Sequence, residues 1–416
     1  MHGSRAVALA LLVCLGTLAG VTLGATQQDP GPQMTVQTAE NTSNYLGPAV
    51  GDIDRSGQET TSLDVAAAVG TNAGGVRATF SRVSLERKYD DADSAEQRRA
   101  VVRNGTDQLA DRVATLERRE AAAIDRYSRG EIGERDLFRT LSAIAAKAGA
   151  QASTASWLET RADELEMDAA LTRLSPLQIR LVPLQGPVRN DIVDGLDGQA
   201  EARVHVEAVG GGLVLATVRR QDDGDYVYVR EAYSPAMRDV RTTDRYDGNI
   251  IQVDERLRES YPWVTPERGE NVDGSELIGT RTALLYTISY DHPHGQTTPY
   301  LDGGSGRVVR EIQRSDVDRL PTEGREVTSE DGDLLVRIER TRPGGPLGVT
   351  AFENATAFDN ATTASDNATD RGVNASVAVD GERVGHTQSE WLWTIEPRGE
   401  PEVTVTYEGE TVTVTL

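Results

Sequence analysis

Residues 202–233 read ARVHVEAVGGGLVLATVRRQDDGDYVYVREAY and contain three runs in which apolar and polar residues alternate. Alternation with a period of two is typical of β-strands, because successive side chains point to opposite faces of a sheet. Glycines at 210–212 and the acidic segment 222–225 separate the runs and are typical turn sequences. The stretch therefore predicts three consecutive strands, at 202–208, 213–219 and 226–233.

Upstream of these strands the apolar residues repeat with helical spacing. A first helix is predicted from Ser62, and its apolar face would consist of Leu63, Val65, Val69, Val76, Phe80, Val83 and Tyr89. A second helix is predicted from Asp93, and a third follows a heptad series over 137–165. We expect these stripes to bury one another within the chain, although a partner-binding coiled coil is an alternative.

The spacing of turn residues indicates how the helices are connected. Gly130 and Gly133 mark a short turn between the second and third helices, which predicts an antiparallel hairpin on which the first helix packs. Downstream, strands and one short helix around 254–261 precede a final region of short strands. The fold class predicted is multidomain α+β, with a helical N-terminal hairpin or bundle, a middle α+β domain and a C-terminal Ig-like β-sandwich.

The N-terminus has the pattern of an export signal. Residues 1–5 end in a cation, residues 6–25 are uncharged and mostly apolar, and small residues precede a cleavage position near Ala25. An uncleaved N-terminal anchor is the alternative, because the apolar run is long enough to span a bilayer. The domain boundaries predicted are 1–25 signal or anchor, 26–39 linker, 40–174 helical, 175–320 α+β and 321–416 sandwich.

The composition is strongly acidic and nearly free of lysine. The chain carries 66 Asp and Glu against 43 Lys and Arg, for a net charge of -23, and its only lysines are Lys88 and Lys147. This balance is typical of proteins that work in concentrated salt, where carboxylate repulsion is screened. It argues against nucleic acid or anionic lipid as a partner. The single cysteine, Cys14, lies in the export segment, so a disulfide framework and a thiol nucleophile are excluded from the mature chain.

Glycosylation sequons agree with export to the cell exterior. The predicted sites lie mainly in a polar loop over 354–376 and are Asn41, Asn354, Asn360, Asn367 and Asn374. A sixth sequon, Asn104, falls in the predicted second helix and is not included.

Two clusters are candidate metal sites. Asp52, Asp54 and Ser56, followed by Gly57, begin like a calcium-binding loop, but Leu63 stands where an EF-hand needs a carboxylate. An acidic turn before a helix is the alternative that we favour. His292 and His294 have metal-ligand spacing, but no third ligand is identifiable, so we interpret them as a polar hairpin tip.

No catalytic or cofactor-binding motif is present in the sequence, and we predict no cofactor. Trp391 and Trp393 share one face of a predicted strand. They are interpreted as core or rim aromatics of the sandwich, with a sugar-stacking platform as the alternative.

The middle region resembles PepSY-type domains. The resemblance rests on the strand at 285–290 followed by PYLDGGSGRVV at 299–309, with the Tyr261-Pro262-Trp263 helix end before it. It implies an envelope location and a role as regulator or inhibitor of an extracellular protease.

The whole layout is similar to haloarchaeal secreted or surface proteins, with the segment Asn44-Tyr45-Leu46-Gly47-Pro48 opening the helical domain. This resemblance implies location and architecture but no activity. We therefore expect a non-enzymatic envelope protein that contacts an envelope protein or glycan and touches the membrane only through an uncleaved N-terminus. The alternatives are the PepSY-like regulator and a hydrolase with an unrecognised site.

Overall fold

A computed structural model describes residues 34–35, 46–48, 50–238, 243–262, 272–278, 285–329, 334–353, 372–388 and 390–416. The described residues form an α+β fold in which five helices precede the main run of strands. The α-helices are α1 (Val65–Asp90), α2 (Ala95–Ser128), α3 (Glu134–Glu164), α4 (Asp168–Leu181), α5 (Pro187–Leu196) and α6 (Ile250–Ser260).

The strands form four antiparallel sheets. They are β1 (Met34–Thr35), β2 (Gly47–Pro48), β3 (Arg55–Thr61), β4 (Ala202–Val209), β5 (Gly212–Arg220), β6 (Tyr226–Tyr233), β7 (Val272–Ile278), β8 (Leu285–His292), β9 (Gly295–Asp302), β10 (Arg307–Asp316), β11 (Glu323–Thr328), β12 (Leu334–Arg340), β13 (Pro346–Glu353), β14 (Ser376–Val379), β15 (Glu382–His386), β16 (Leu392–Ile395), β17 (Glu402–Tyr407) and β18 (Glu410–Thr415). The largest sheet has the order β3-β4-β5-β6-β10-β9-β8-β7. The sheets β11-β12-β13-β16 and β15-β14-β17-β18 form the C-terminal sandwich around one shared core.

Helices α2 and α3 form the predicted antiparallel hairpin. Arg99 of α2 donates to the carbonyl of Leu165 at one end (3.3 Å), and Tyr127 Oη donates to Glu134 Oε1 at the other (3.0 Å). The N-cap of α2 is Ser94, one residue later than predicted, and its hydroxyl accepts from the Gln97 amide.

The predicted boundary of the helical domain at residue 174 is wrong. Helix α4 continues through Pro176 to Leu181, and α5 extends the helical layer to Leu196. The same region also contributes β3, which pairs with β4 and so belongs to the large sheet. Since β3 has the polar sequence RSGQETT, no local alternation of apolar residues marks it as a strand.

The large sheet is covered on both faces. On one face Ile124 of α2, Phe138 of α3 and Val188 of α5 pack against Val206 and Leu215. On the opposite face α6 packs over β5, β6 and the hairpin of β8 and β9, and the sandwich packs beside it. The molecule therefore has a central sheet between a helical layer and a mixed layer.

A buried ion cluster ties the helical layer to the sheet. Arg189 of α5 is almost fully buried, and its guanidinium lies 2.7 Å from Glu120 of α2 and 3.1 Å from Glu231 of β6. Because a buried charge without a partner is strongly destabilising, this pairing fixes α2, α5 and β6 relative to one another.

The sandwich is held on the sheet by an apolar contact and by ion pairs. Trp393 of β16 is buried against Ala216 and Tyr228 of the large sheet. Arg398 Nε donates to Glu207 Oε1 of β4 at 2.5 Å. These contacts fix the sandwich beside α6.

Candidate functional site: helix α1 and its flanking grooves

Helix α1 exposes the apolar face that the sequence predicted to be buried. Val65, Val69, Val76 and Phe80 (the α1 stripe) are 63–72% exposed, and at 100° per residue they lie within an arc of roughly 60°. They are four of the six large apolar side chains that are exposed in the described part of the chain. The prediction that this face packs inside the chain is therefore wrong for these four residues, whereas Tyr89, at the end of the same predicted face, is buried.

The contacts of α1 explain why its stripe stays outside the core. The side chains of α1 that are buried are Thr71, Ala78 and Tyr89. Gly70, Gly74 and Gly75 supply no side chain to pack in the middle of the helix. The N-terminal and middle turns of the helix thus touch the bundle through small residues, whereas Leu85 and Tyr89 pack on the bundle near its C-terminus.

Both ends of α1 are anchored. Asp64 caps its N-terminus by accepting from the Ala67 amide (3.0 Å) and from Arg139 Nε (2.7 Å), and these two hydrogen bonds lower the pKa of Asp64. At the other end Tyr89 makes an edge-to-face contact with Trp157, with ring centroids 5.6 Å apart. A helix that is fixed at its ends and sparsely packed in between presents a stable exposed surface.

A groove runs along each side of α1. One, of about 730 Å³, lies beside α3 and α5 and is lined by Val76, Phe80 and Val83 among others. The other, of about 660 Å³, lies between α1, α2 and α3, and we call it the basic groove. Both volumes are within the usual range of small-molecule sites.

The basic groove contains four cations and one acid. Its charged lining residues are Arg77, Arg112, Arg119, Lys147 and Asp111. None of the four cations forms an ion pair within the described residues, whereas most other arginines of the bundle do. Burial lowers the pKa of Lys147, and the charges of Arg119 and Arg77 lower it further. The groove is thus locally positive in a chain with a net charge of -23.

A buried amide also faces this groove. Gln151 of α3 lines it, is 4% exposed, and its Oε1 atom has no hydrogen-bond partner in the described part of the chain. Because an unsatisfied buried polar atom costs about 1–3 kcal/mol, a water molecule or a ligand atom is expected to pair with it.

The structure does not build the predicted calcium loop. Asp52 ends a short 3-10 turn, Asp54 Oδ2 accepts from the Gly210 amide (3.1 Å), and Ser56 lies within β3 opposite Glu207. The strand Arg55–Thr61 stands where both the calcium-binding loop and the favoured alternative, an acidic turn leading directly into a helix, were predicted. No group of three His, Cys, Asp or Glu side chains with metal-binding geometry occurs in the described residues.

The two histidines lie at the tip of the hairpin formed by β8 and β9. Their ring centroids are 6.2 Å apart, and burial together with the neighbouring His294 lowers the pKa of His292 to about 4. This placement fits the hairpin-tip interpretation.

The two tryptophans stack in parallel, with centroids 5.9 Å apart. Because Trp393 is buried at the junction with the large sheet, it is a packing residue and not part of a sugar platform.

Several predicted features fall outside the described residues. These are the export segment 1–25, most of the linker 26–39, and the sequons Asn41, Asn354, Asn360 and Asn367. Asn374 is described and exposed just before β14, and Asn104 is exposed within α2. None of the described helices has the length and apolar character needed to cross a bilayer.

Sequence reasoning missed the basic groove altogether. Its cations come from α1, α2 and α3, and they converge only when the three helices pack. One signal was available: Lys147 is one of two lysines in a chain that otherwise uses arginine.

Comparison with known families gives matches over three parts of the chain. Residues 1–201 match a domain of unknown function (DUF7096), residues 204–321 match a family of unknown function (DUF7094), and residues 360–414 match an archaeal fibronectin-III type-like domain. No curated protein and no solved structure matches the chain. The first match ends between α5 and β4, the second ends just before β11, and the third supports an Ig-like sandwich at the C-terminus.

Proposed function

We propose that this chain is a non-enzymatic contact protein of a haloarchaeal cell envelope, and that it binds an envelope protein through the α1 stripe. The exposure of the stripe is the observation that carries the proposal. A contiguous apolar surface on a soluble domain is costly to leave in water and is typical of interaction sites. On α1 it is presented by a helix that is anchored at both ends, which suits recognition by an apolar groove or helix of a partner.

The location rests on three independent features. The N-terminal residues have the pattern of an export signal or anchor. The excess of carboxylates is typical of proteins exposed to concentrated salt, where the repulsion between them is screened. The fibronectin-type match is to an archaeal domain. We further propose that exposed sequons such as Asn374 carry glycans.

A PepSY-like role for the middle region remains a second proposal. Helix α6 comes before the hairpin of β8 and β9, which is the order that the resemblance implies, and Tyr290 Oη of β8 donates to Asp254 Oδ1 of α6 at 2.8 Å. This order of elements supports a shared architecture, and an inhibition assay with the full chain on extracellular proteases of the same cells would test the activity.

The contact role is tested by changing the stripe in native cells. Phe80→Asp combined with Val76→Asp should release the chain from its partner. In size-exclusion chromatography of detergent extracts, the variant chain should then elute at a smaller size than the unmodified chain. Ile251→Asp is the matched control, because Ile251 is 68% exposed on α6 and lies outside the stripe. Retention of the assembly in the double variant, or recovery of the uncut chain in the cytoplasm, would overturn the proposal.

A further inference from the structure

The basic groove borders the α1 stripe and shares Val69 with it. It lies between three helices, and its apolar part is formed by Val69, Ala73, Ala78 and Leu116. Its cations come from all three of those helices. A groove with an apolar part and a cationic part is complementary to a ligand that has an apolar part and an anionic part.

The cations of this groove are available to an anion, because Arg77 and Arg119 are exposed and Arg112 and Lys147 are half-buried. Lys147, Arg77 and Arg119 lie close enough for their charges to act on one another, and no carboxylate pairs with them within the described residues. Like charges held together cost free energy, and a bound anion removes that cost through charge-assisted hydrogen bonds. In concentrated salt only such direct contacts survive screening.

The buried amide of Gln151 points to the same conclusion independently. Its oxygen lacks a partner in the described part of the chain, and an amide can present either its oxygen or its NH₂ group to a ligand. A headgroup that carries both acceptor and donor atoms would satisfy it.

We propose that the basic groove binds an anionic amphiphile, a single apolar chain with a phosphate or carboxylate headgroup. The headgroup contacts Lys147, Arg119 and Arg77, and the apolar chain lies along Val69, Ala73 and Leu116. The net charge of -23 still argues against a broad anionic membrane surface as the partner. The inference does not depend on the proposed contact function.

The test uses the full chain and three probes of defined chemistry. Decyl phosphate below its critical micelle concentration carries both parts, inorganic phosphate carries only the headgroup, and decyl maltoside carries an uncharged headgroup. Calorimetric titration should show that decyl phosphate binds at least about tenfold more tightly than either other probe. Lys147→Met should remove about tenfold of that affinity, and Lys88→Met, at the exposed end of α1, should leave it unchanged.

A second measurement uses the unmodified chain and therefore does not depend on whether a variant folds. Reductive methylation of the unmodified chain labels its two lysines, and decyl phosphate should protect Lys147 but not Lys88. Equal affinity for decyl phosphate and decyl maltoside, no binding of either, or unprotected Lys147 would overturn the proposal. Preferential binding of an acidic peptide that displaces decyl phosphate would also overturn it.

Discussion

Lys147 packs against Gly74: a methyl group built at Gly74 would lie only 2.9 Å from Lys147 Cε. The missing side chain on α1 therefore leaves the space into which the lysine stem extends across the basic groove. Gly75, the next residue, has nothing within 4 Å of the same methyl position. The two glycines provide a matched pair for testing whether the position of Lys147 controls the groove.

Gly74→Ala should displace Lys147 and weaken decyl phosphate binding by at least about threefold. Gly75→Ala should leave that affinity unchanged. It should also raise the free energy of unfolding by about 1 kcal/mol, because alanine has the higher helix propensity. Calorimetric titration and urea denaturation measure the two effects. Equal affinities for the two variants would show that Gly74 does not shape the site.

Phe80→Ala should change the free energy of unfolding by no more than about 0.5 kcal/mol, because the ring is 72% exposed. Phe138→Ala should cost about 3–5 kcal/mol, because that ring is fully buried under the large sheet. Denaturant unfolding of the purified chain in concentrated salt compares them. A large loss for Phe80→Ala would mean that the stripe is buried within the isolated chain.

The pair of Arg398 and Glu207 should make stability depend on pH. Burial alone would raise the pKa of Glu207, but hydrogen bonds from His205 and Arg398 outweigh it and lower the pKa from 4.5 to about 2. Ionised Glu207 therefore favours the folded state above pH 4.5, and this contribution, roughly 3 kcal/mol, is lost as the pH falls from 4.5 towards 2.

Arg398→Ala should cost about 3 kcal/mol at pH 7 and should flatten the loss of stability below pH 4.5, because Glu207 then loses a partner. Arg220→Ala is the control, since Arg220 and Glu390 form an exposed pair between the same two parts of the molecule at 2.8 Å. Its cost should stay below about 1 kcal/mol. Thermal unfolding measured across pH 2–7 distinguishes the variants, and identical profiles for both would contradict the role of Glu207.

Peptide mapping by mass spectrometry of the chain isolated from its native cells should find a glycan on Asn374 and none on Asn104. Asn374 is exposed outside helix and strand, whereas Asn104 lies within α2. Asn374→Gln should remove the corresponding mass. An unmodified Asn374 peptide would contradict export through a glycosylating pathway.

Much of the fold was predictable because its elements carry strong local periodicity. The heptad series over α3 and the alternation in β4, β5 and β6 each match the period of one structure. The strand β3 was not predictable, because its partner β4 lies on the far side of five helices and its own sequence is polar. The extension of α4 beyond residue 174 is not predictable from the local pattern, because the helix contains Pro176 and proline ordinarily ends a helix.

The candidate site was harder to predict than the fold. An apolar stripe on a helix ordinarily marks its buried face, so the sequence predicts that the α1 stripe is buried. Whether such a face is buried depends on what packs against the helix. In the middle of α1 the small residues Thr71 and Ala78 face the bundle, and the stripe faces away from it. The basic groove depends on three separate helices, and no spacing along the chain reveals it.

We propose above that the α1 stripe is the surface through which this protein binds an envelope protein. The most direct measurement is photo-crosslinking in growing cells, with a photoreactive residue at Phe80 and, as a control, at Ile251, which is similarly exposed on α6. We predict that position 80 gives a discrete adduct with one envelope protein and that position 251 gives none. The absence of an adduct from position 80, or the same set of adducts from both positions, would contradict the claim.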